Sequence, residues 1–335
     1  MIVLVTGGAG YIGSVLVEKL AAKGYKVRVF DRFYFGEESL RHLKDKIEMV
    51  RGDVRQFPAS ALDGVSSVIH LGSLSNDPTA DFDPKANHEI NFEGTMRVAE
   101  ACKKAGVKRF SYASSCAVIG FHVGEVADES FKPNPQSEYA RSKLDGEIGI
   151  LSLTSSDFCP VAFRQATVFG FSRRMRYDLV VNTMVKDAFK NGTIFVYHAG
   201  EMWRPLVDVK DVADAHIHAI EADEAFVKGQ VFNLVRENVK IADLAFMIKD
   251  FLKDKKDVAV EVQKGSVETR SYRVSGEKYK KAFGEPRISI ADSARQIYDL
   301  LADGKYVDFD NPIYYNIDWM KHLVEKYGKK EVFLL

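Results

Sequence analysis

Cysteine is scarce in this 335-residue chain, with three residues, Cys102, Cys116 and Cys159. An odd number without the short spacings of metal ligands argues against a disulfide framework, leaves no zinc site to propose, and fits a reducing compartment. Neither sign of charge is in excess, because lysine plus arginine and aspartate plus glutamate each number 47. That balance gives no general pull toward nucleic acid or an anionic membrane, so a small anionic ligand needs a local cluster. No apolar run approaches the length of a membrane span, and Met1 runs straight into a strand pattern. Neither an anchor nor a signal peptide is therefore expected, and the reading is cytoplasmic. No low-complexity tract, long linker or internal repeat divides the chain, which is long enough for one large or two modest cores.

What is present is concentrated at the start. Met1 to Asp31 reads MIVLVTGGAGYIGSVLVEKLAAKGYKVRVFD. Ile2 to Val5 is an apolar, β-branched run without polar alternation, as expected of a parallel strand buried on both faces. Gly7, Gly10 and Gly13 follow at intervals of three. One glycine can make the tight turn, one can admit a pyrophosphate to the backbone, and one can let the next helix pack closely on the strand. The unpaired N–H groups and dipole of that helix, beginning near Ser14, favour an anion. Lys26 to Phe30 is a second strand closing at Asp31, 18 residues past Gly13, where a carboxylate accepts hydrogen bonds from the adenosine ribose and repels a 2′-phosphate. This favours NAD over NADP, although the adjacent Arg32 can pair with a 2′-phosphate.

Further strands are expected at Glu48 to Val50, Ser67 to Leu71 and Arg109 to Ala113. Asp53 after the first of these is either a turn residue or a partner for the adenine amino group. Gly72 and Ser73 lie at a carboxyl strand end, where an open parallel sheet places its ligand. Asn87 to Ala105 reads as one long helix, and His70 as a satisfied core histidine. Alternating strands and helices imply an α/β, doubly wound parallel sheet, a Rossmann arrangement. The expected boundaries are residues 1–170 for the dinucleotide-binding part, with a returning segment near 206–235 that includes a strand at Gln230 to Leu234. Residues 171–335 form a smaller, mainly substrate-binding region, with amphipathic helices at about Ile241 to Leu252 and Ile290 to Leu301. Its start is basic, with Arg173, Arg174 and Arg176 either solvated or gripping a diphosphate or a sugar hydroxyl.

Tyr139 and Lys143, in SEYARSK, sit four apart on one helix face. An ammonium beside a phenol favours the phenolate, so this tyrosine can exchange a proton with a substrate hydroxyl or ketone near neutral pH. Ser115, delivered by a strand end, can hydrogen-bond the same oxygen, and a nicotinamide supplies the hydride chemistry.

With these motifs the chain resembles the extended short-chain dehydrogenase/reductases, specifically the NAD-dependent nucleotide-sugar epimerase and dehydratase family. The matching segments are TGxxGxxG at Thr6 to Gly13, GDxR at Gly52 to Arg55, NxxGT at Asn91 to Thr95, and YxxxK at Tyr139 and Lys143. The resemblance implies Ser115, Tyr139 and Lys143 as catalytic residues, with Ser114 the adjacent alternative to Ser115. It places NAD against Gly7, Gly10, Tyr11, Ile12 and Gly13, and against Asp31, Asp53 and Val54. Leu71, Gly72, Ser73 and Asn91 complete that set together with Tyr139 and Lys143. It places a nucleotide-diphosphate sugar against Ser115, Thr167, Arg174, Asn182, Arg204 and Arg270, the last of these with Tyr272 where the family closes over the nucleotide. Members that eliminate water carry Asp-Glu after the catalytic hydroxyl residue, whereas Cys116 and Ala117 stand here, so dehydration is not expected. Cys116 itself reads as packing or as an acid/base for ring epimerisation. The resemblance further implies a 4-epimerase acting on the fourth carbon of the sugar, with a net 4-dehydrogenase or 4-ketoreductase as its rival and a non-catalytic dinucleotide sensor behind them. No metal is implied, and a homodimer is expected.

Overall fold

A computed structural model describes residues 1–122, 124–265 and 271–333. The apolar run Ile2–Thr6 (β1) lies at the heart of a seven-stranded sheet. Lys26–Asp31 (β2) and Ile47–Arg51 (β3) extend it to one side. Val65–His70 (β4), Arg109–Ser115 (β5), Cys159–Gln165 (β6) and Gln230–Leu234 (β7) extend it to the other. The order is β7-β6-β5-β4-β1-β2-β3, and every pairing is parallel. Both faces are apolar because both are covered. Leu4, Val68 and Phe110 pack beneath one layer with Val98 and Ile150, whereas Val3, Val5 and Ile69 meet Leu16, Val17, Ala213 and Ile217 on the other. The chain leaves β1 toward β2 and returns to β4 on the opposite side, so the loops after β1 and β4 diverge and open a crevice at their carboxyl ends.

The expected returning strand is β7, beside β6 at the sheet edge. A second core forms around Leu206, Val185, Leu244 and Ile297, between the helices Val180–Asn191, Ile241–Phe251 and Ile290–Ala302. Ser289 starts the last of these with a capping box closed by Asp292, which satisfies two otherwise orphaned backbone donors.

Two features depart from the sequence reading. The expected helix from Asn87 to Ala105 is three pieces: Pro84–His88, a single π turn Glu89–Glu93, and Gly94–Lys104. Gly94 is needed where the turns meet, because a Cβ there would lie 2.6 Å from a methyl of Val54. The extra residue of the π turn points the Asn91 side chain at the loop after β4. In addition, the helices Asn316–Tyr327 and Lys329–Phe333 turn back onto the β2 side of the sheet. Trp319 donates to the carbonyl of Tyr34 at 2.7 Å, the Tyr34 hydroxyl donates to Val332 at 2.6 Å, and Lys329 pairs with Asp83 at 2.9 Å.

Candidate active site

The crevice is a cleft of about 900 Å³, toward the upper end of the roughly 300–1,000 Å³ usual for small-molecule sites. Its floor is the glycine turn. Gly7 has φ +69°, and a Cβ on it would meet the backbone of Gly72 at 2.8 Å. A Cβ on Gly13 would stand 2.2 Å from the Gly7 carbonyl. Gly10 is the N-cap of the helix Tyr11–Ala22, whose first turn carries no acidic residue. The three glycines thus divide the labour as expected: turn at Gly7, open approach to the helix end at Gly10, close packing at Gly13. A cradle that any side chain would fill fits a dinucleotide diphosphate laid against bare backbone.

Asp31 closes β2 beside this turn. It accepts hydrogen bonds from the backbone N–H of Ala9 at 3.0 Å and of Phe33 at 2.7 Å, while burial pushes its carboxyl up. These bonds fix the carboxylate at the mouth where an adenosine ribose would sit. Arg32 turns away to Asp53 and rests over the Tyr34 ring at 4.9 Å. Asp53 also accepts from the Arg55 backbone at 2.8 Å and from its guanidinium at 2.9 and 3.0 Å. Burial raises its carboxyl, but those hydrogen bonds outweigh burial and hold it below the usual range. The turn-residue alternative for Asp53 therefore matches its bonding, although the residue lines the cleft together with Val54, Leu71, Gly72 and Ser73. His70 behaves as a core histidine. It pairs with Thr6 at 2.7 Å and Thr95 at 2.9 Å, and burial pulls its ring down to about 3.

The chemical end of the cleft lies where β5 stops. Ser115 and Tyr139 both face the opening, and the Ser115 hydroxyl accepts the Ala117 backbone N–H at 3.2 Å. Ser114 points the opposite way, donating to Glu147 at 2.7 Å, and Glu147 in turn holds Arg164 at 2.7 Å. Of the two serines, only Ser115 is placed to meet a substrate oxygen. The helix Glu138–Ser152, capped by Ser137, carries Tyr139 and Lys143 on adjoining turns. Lys143 donates to the Ala113 carbonyl at 2.9 Å, is 3% exposed, and is pulled down to about 7 by burial. Burial pushes Tyr139 up to about 12 and the Ser115 hydroxyl only partly offsets this, with Asp77 and Arg176 acting at longer range. In the cofactor-free protein the Lys143 ammonium lies 5.9 Å from the Tyr139 ring, and burial weighs against the charged form of both groups. Cys116 is fully buried and donates to the Arg164 carbonyl at 3.0 Å, which leaves it packing and not acid–base chemistry.

Two expected ligands stand behind the cleft wall. Asn91 spans the N–H and carbonyl of Leu74 at 2.8 and 2.9 Å and so fixes the loop after β4. Asn182 is wholly buried, accepting from Gly170 N at 2.9 Å and donating to Arg176 O at 3.0 Å and to the Tyr11 hydroxyl at 3.2 Å. Both amides are spent on groups of the protein itself, so they shape the site without facing it. Thr167, Arg174 and Arg204 do line the cleft, as does Tyr272, and Arg204 donates to the Trp203 carbonyl at 3.1 Å. Arg270 lies outside the described residues. The basic cluster splits. Arg173 is a surface residue near Glu18, whereas Arg176 forms a buried pair with Asp178 at 2.8 Å and Arg174 is enclosed. Sequence reasoning missed Phe35, Asp178 and Asn316 in the cleft wall. Asn316 lies 142 residues from Arg174, its hydrogen-bond partner, and no local pattern marks it.

A family model described as the NAD dependent epimerase/dehydratase family matches residues 3–234. The UDP-glucose 4-epimerase of Mycolicibacterium smegmatis is 30% identical over 230 residues, covering 64% of this chain and 72% of that one. An uncharacterized protein, y4nG, of Sinorhizobium fredii is 36% identical over 174 residues, which is 51% of this chain and 42% of the relative, so the match spans less than half of that protein. Among solved structures, a Thermus thermophilus UDP-glucose 4-epimerase complex with NAD is similar with a TM-score of 0.76 and 26% identity, over 89% of this chain and 98% of that one. Among the described residues no helix is long and apolar enough to cross a membrane, and no group of side chains could hold a metal ion.

Proposed function

We propose, from the premise that this chain belongs to the NAD-dependent epimerase/dehydratase family, that it is a nucleotide-sugar 4-epimerase. It would oxidise the fourth carbon of a nucleoside-diphosphate sugar and reduce the ketone on its other face. The observation that supports this reading is the meeting of Ser115, Tyr139 and Lys143 in the cleft at the end of β5, flanked by Cys116 and Ala117 in place of a carboxylate pair. The glycine turn, Asp31 and the Leu71–Ser73 loop would hold NAD, which when bound would supply hydride acceptance and return. Tyr139 Oη, in its phenolate form, would take the proton from the sugar hydroxyl as hydride leaves and, as the phenol, give it back to the oxygen of the ketone as hydride returns. Ser115 Oγ would hold that oxygen in line, and Lys143 Nζ, which donates to the Ala113 carbonyl, would also reach the nicotinamide ribose. With no acid or base at residues 116 and 117, protons on neighbouring carbons are left alone and water is not eliminated. Arg204 and Thr167 form the wall assigned to the nucleotide sugar, and the three buried, unpaired cysteines fit a cytoplasmic setting.

The test is to denature the purified protein, identify the released dinucleotide, and offer nucleotide sugars singly without added NAD. Interconversion of C4 epimers over many turnovers, followed by NMR, is expected. Consumption of added NAD in proportion to a 4-keto product would establish the net dehydrogenase instead, and no reaction with any sugar would favour the sensor. A homodimer through the helices Glu138–Ser152 and Gly94–Lys104, the former with Ile148 exposed, completes the proposal. A monomer in light scattering at micromolar concentration would remove it.

A further inference from the structure

We propose that Arg174 is a ligand of the cofactor's diphosphate and not of the nucleotide sugar, held in place by the C-terminal helix. Arg174 is 6% exposed, and its guanidinium lies 3.6 Å over the ring of Phe35. One nitrogen, Nη2, donates to Asn316 Oδ1 at 2.6 Å, and Asn316 is braced by donating to Ser75 Oγ at 2.7 Å. Nε and Nη1 are buried without any hydrogen-bond partner among the described residues. The carboxylate coupled to it, Asp178, is committed to Arg176 at 2.8 and 2.9 Å. A buried guanidinium with two idle donors and no carboxylate in hydrogen-bond contact is costly unless something anionic arrives, and burial with the neighbouring Arg176 pulls it down to about 9 against the opposing charge of Asp178.

The position of the side chain selects the anion. Phe35 belongs to the loop that follows β2 and Asp31, and Ser75 to the loop that follows β4. Ser172 Oγ accepts the Arg174 backbone N–H at 3.2 Å, donates to the Tyr11 carbonyl at 2.7 Å and pairs with Ser14 at 2.8 Å, inside the first turn after the glycines. These three neighbours surround the switch point, where the helix end faces the dinucleotide diphosphate. Tyr139 and Ser115 lie at the other end of the cleft, and the arginine electrostatically coupled to Tyr139 is Arg176, with Arg174 outside that set. The two arginines are neighbours with different commitments: Arg176 is paired with Asp178, lies 5.8 Å over the Tyr11 ring and is coupled to Tyr139, whereas Arg174 keeps two buried donors unpaired beside the loops of the glycine-turn side and is the one left for the cofactor phosphates.

The assignment rests on NAD being the bound dinucleotide and is independent of which sugar is oxidised. Its test is calorimetric titration of NAD, ADP and adenosine into wild type, Arg174→Gln and Asn316→Ala, with thermal unfolding of each unliganded protein. Arg174→Gln is expected to weaken NAD and ADP about ten- to hundredfold, the loss of a charged hydrogen bond, while adenosine binds as before. Its unliganded midpoint should not fall, because an unpaired buried charge has gone. Asn316→Ala, which leaves the charge but loosens it, should lie between. NAD and ADP affinities within twofold of wild type, or an equal loss for adenosine, would overturn the assignment alone. Failure of the wild type to bind NAD would overturn it together with the proposed function.

Discussion

Replacing Lys143 by methionine should make the unliganded protein more stable while destroying its activity. The side chain is buried among Tyr112, Tyr139 and the Ala113 carbonyl, and burial alone brings its ammonium from 10.5 to about 7. A group whose folded pKa is depressed contributes stability that is present above the unfolded pKa and lost as pH falls through the folded one. Here the penalty is complete below pH 7 and gone above 10.5. That depression corresponds to roughly 5 kcal/mol at or below the folded value. Methionine matches the stem but leaves the Ala113 carbonyl without its donor, which costs about 1–3 kcal/mol. The net gain at neutral pH is therefore on the order of 2–4 kcal/mol, or about 3–5 °C for a chain of this size. Since the wild-type penalty shrinks by about 1.4 kcal/mol per pH unit above 7, the advantage of the variant should drop by about 2–3 kcal/mol between pH 7 and pH 9. Thermal and urea unfolding of cofactor-free protein at both pH values measure this, and turnover should be lost by at least a thousandfold. A variant that is less stable than wild type at pH 7, or whose advantage is the same at pH 9, would refute the reasoning.

Tyr139→Phe should lower turnover by about a hundred- to ten-thousandfold, with dinucleotide and nucleotide-sugar affinities nearly unchanged, since the phenol oxygen acts mainly in the transition state. Single-turnover hydride transfer retaining more than a tenth of the wild-type rate would count against the mechanism. Ser115→Ala should cost rate and spare folding, whereas Ser114→Ala should spare rate and lower the unfolding midpoint. Ser114 serves the buried Glu147–Arg164 pair, and a lost hydrogen bond to a charged group is worth about 1.5–3 kcal/mol. NAD should bind more tightly than NADP, because Asp31 is fixed beside the glycine turn and Arg32 is engaged with Asp53; equal calorimetric affinities would contradict this.

The sheet was readable because its causes are local. A strand buried on both faces is apolar without alternation, and Gly7 and Gly13 stand where any side chain would strike backbone. Tyr139 and Lys143 were readable for the same reason, since helical spacing alone puts them on one face. Electrostatics was not, because burial is a property of the whole fold. The spacing suggested an ammonium lowering a phenol, while the surroundings raise the phenol and lower the ammonium. The bonding of Asn91 and Asn182 was illegible for a related reason. An amide in a motif looks the same whether it meets a ligand or two backbone groups, and only the path of the Leu74 and Gly170 loops decides. The π turn at Glu89–Glu93 leaves no trace in the apolar pattern, because one extra residue shifts a helical stripe by little more than a quarter turn.

The return of the last helices onto the β2 loop also imposes an order in time on the life of the molecule. The glycine turn, Asp31 and Tyr34 leave the ribosome early, while Asn316 and Trp319, which bond to Arg174 and to Tyr34, follow almost three hundred residues later. At about 5–20 residues per second that interval is on the order of a quarter of a minute to a minute. During it a nascent chain can display a finished phosphate cradle with its outer wall missing. Closure of that wall over a dinucleotide then waits for Asn316 and Trp319 to emerge, so the cofactor meets a chain whose other layers have already had time to assemble.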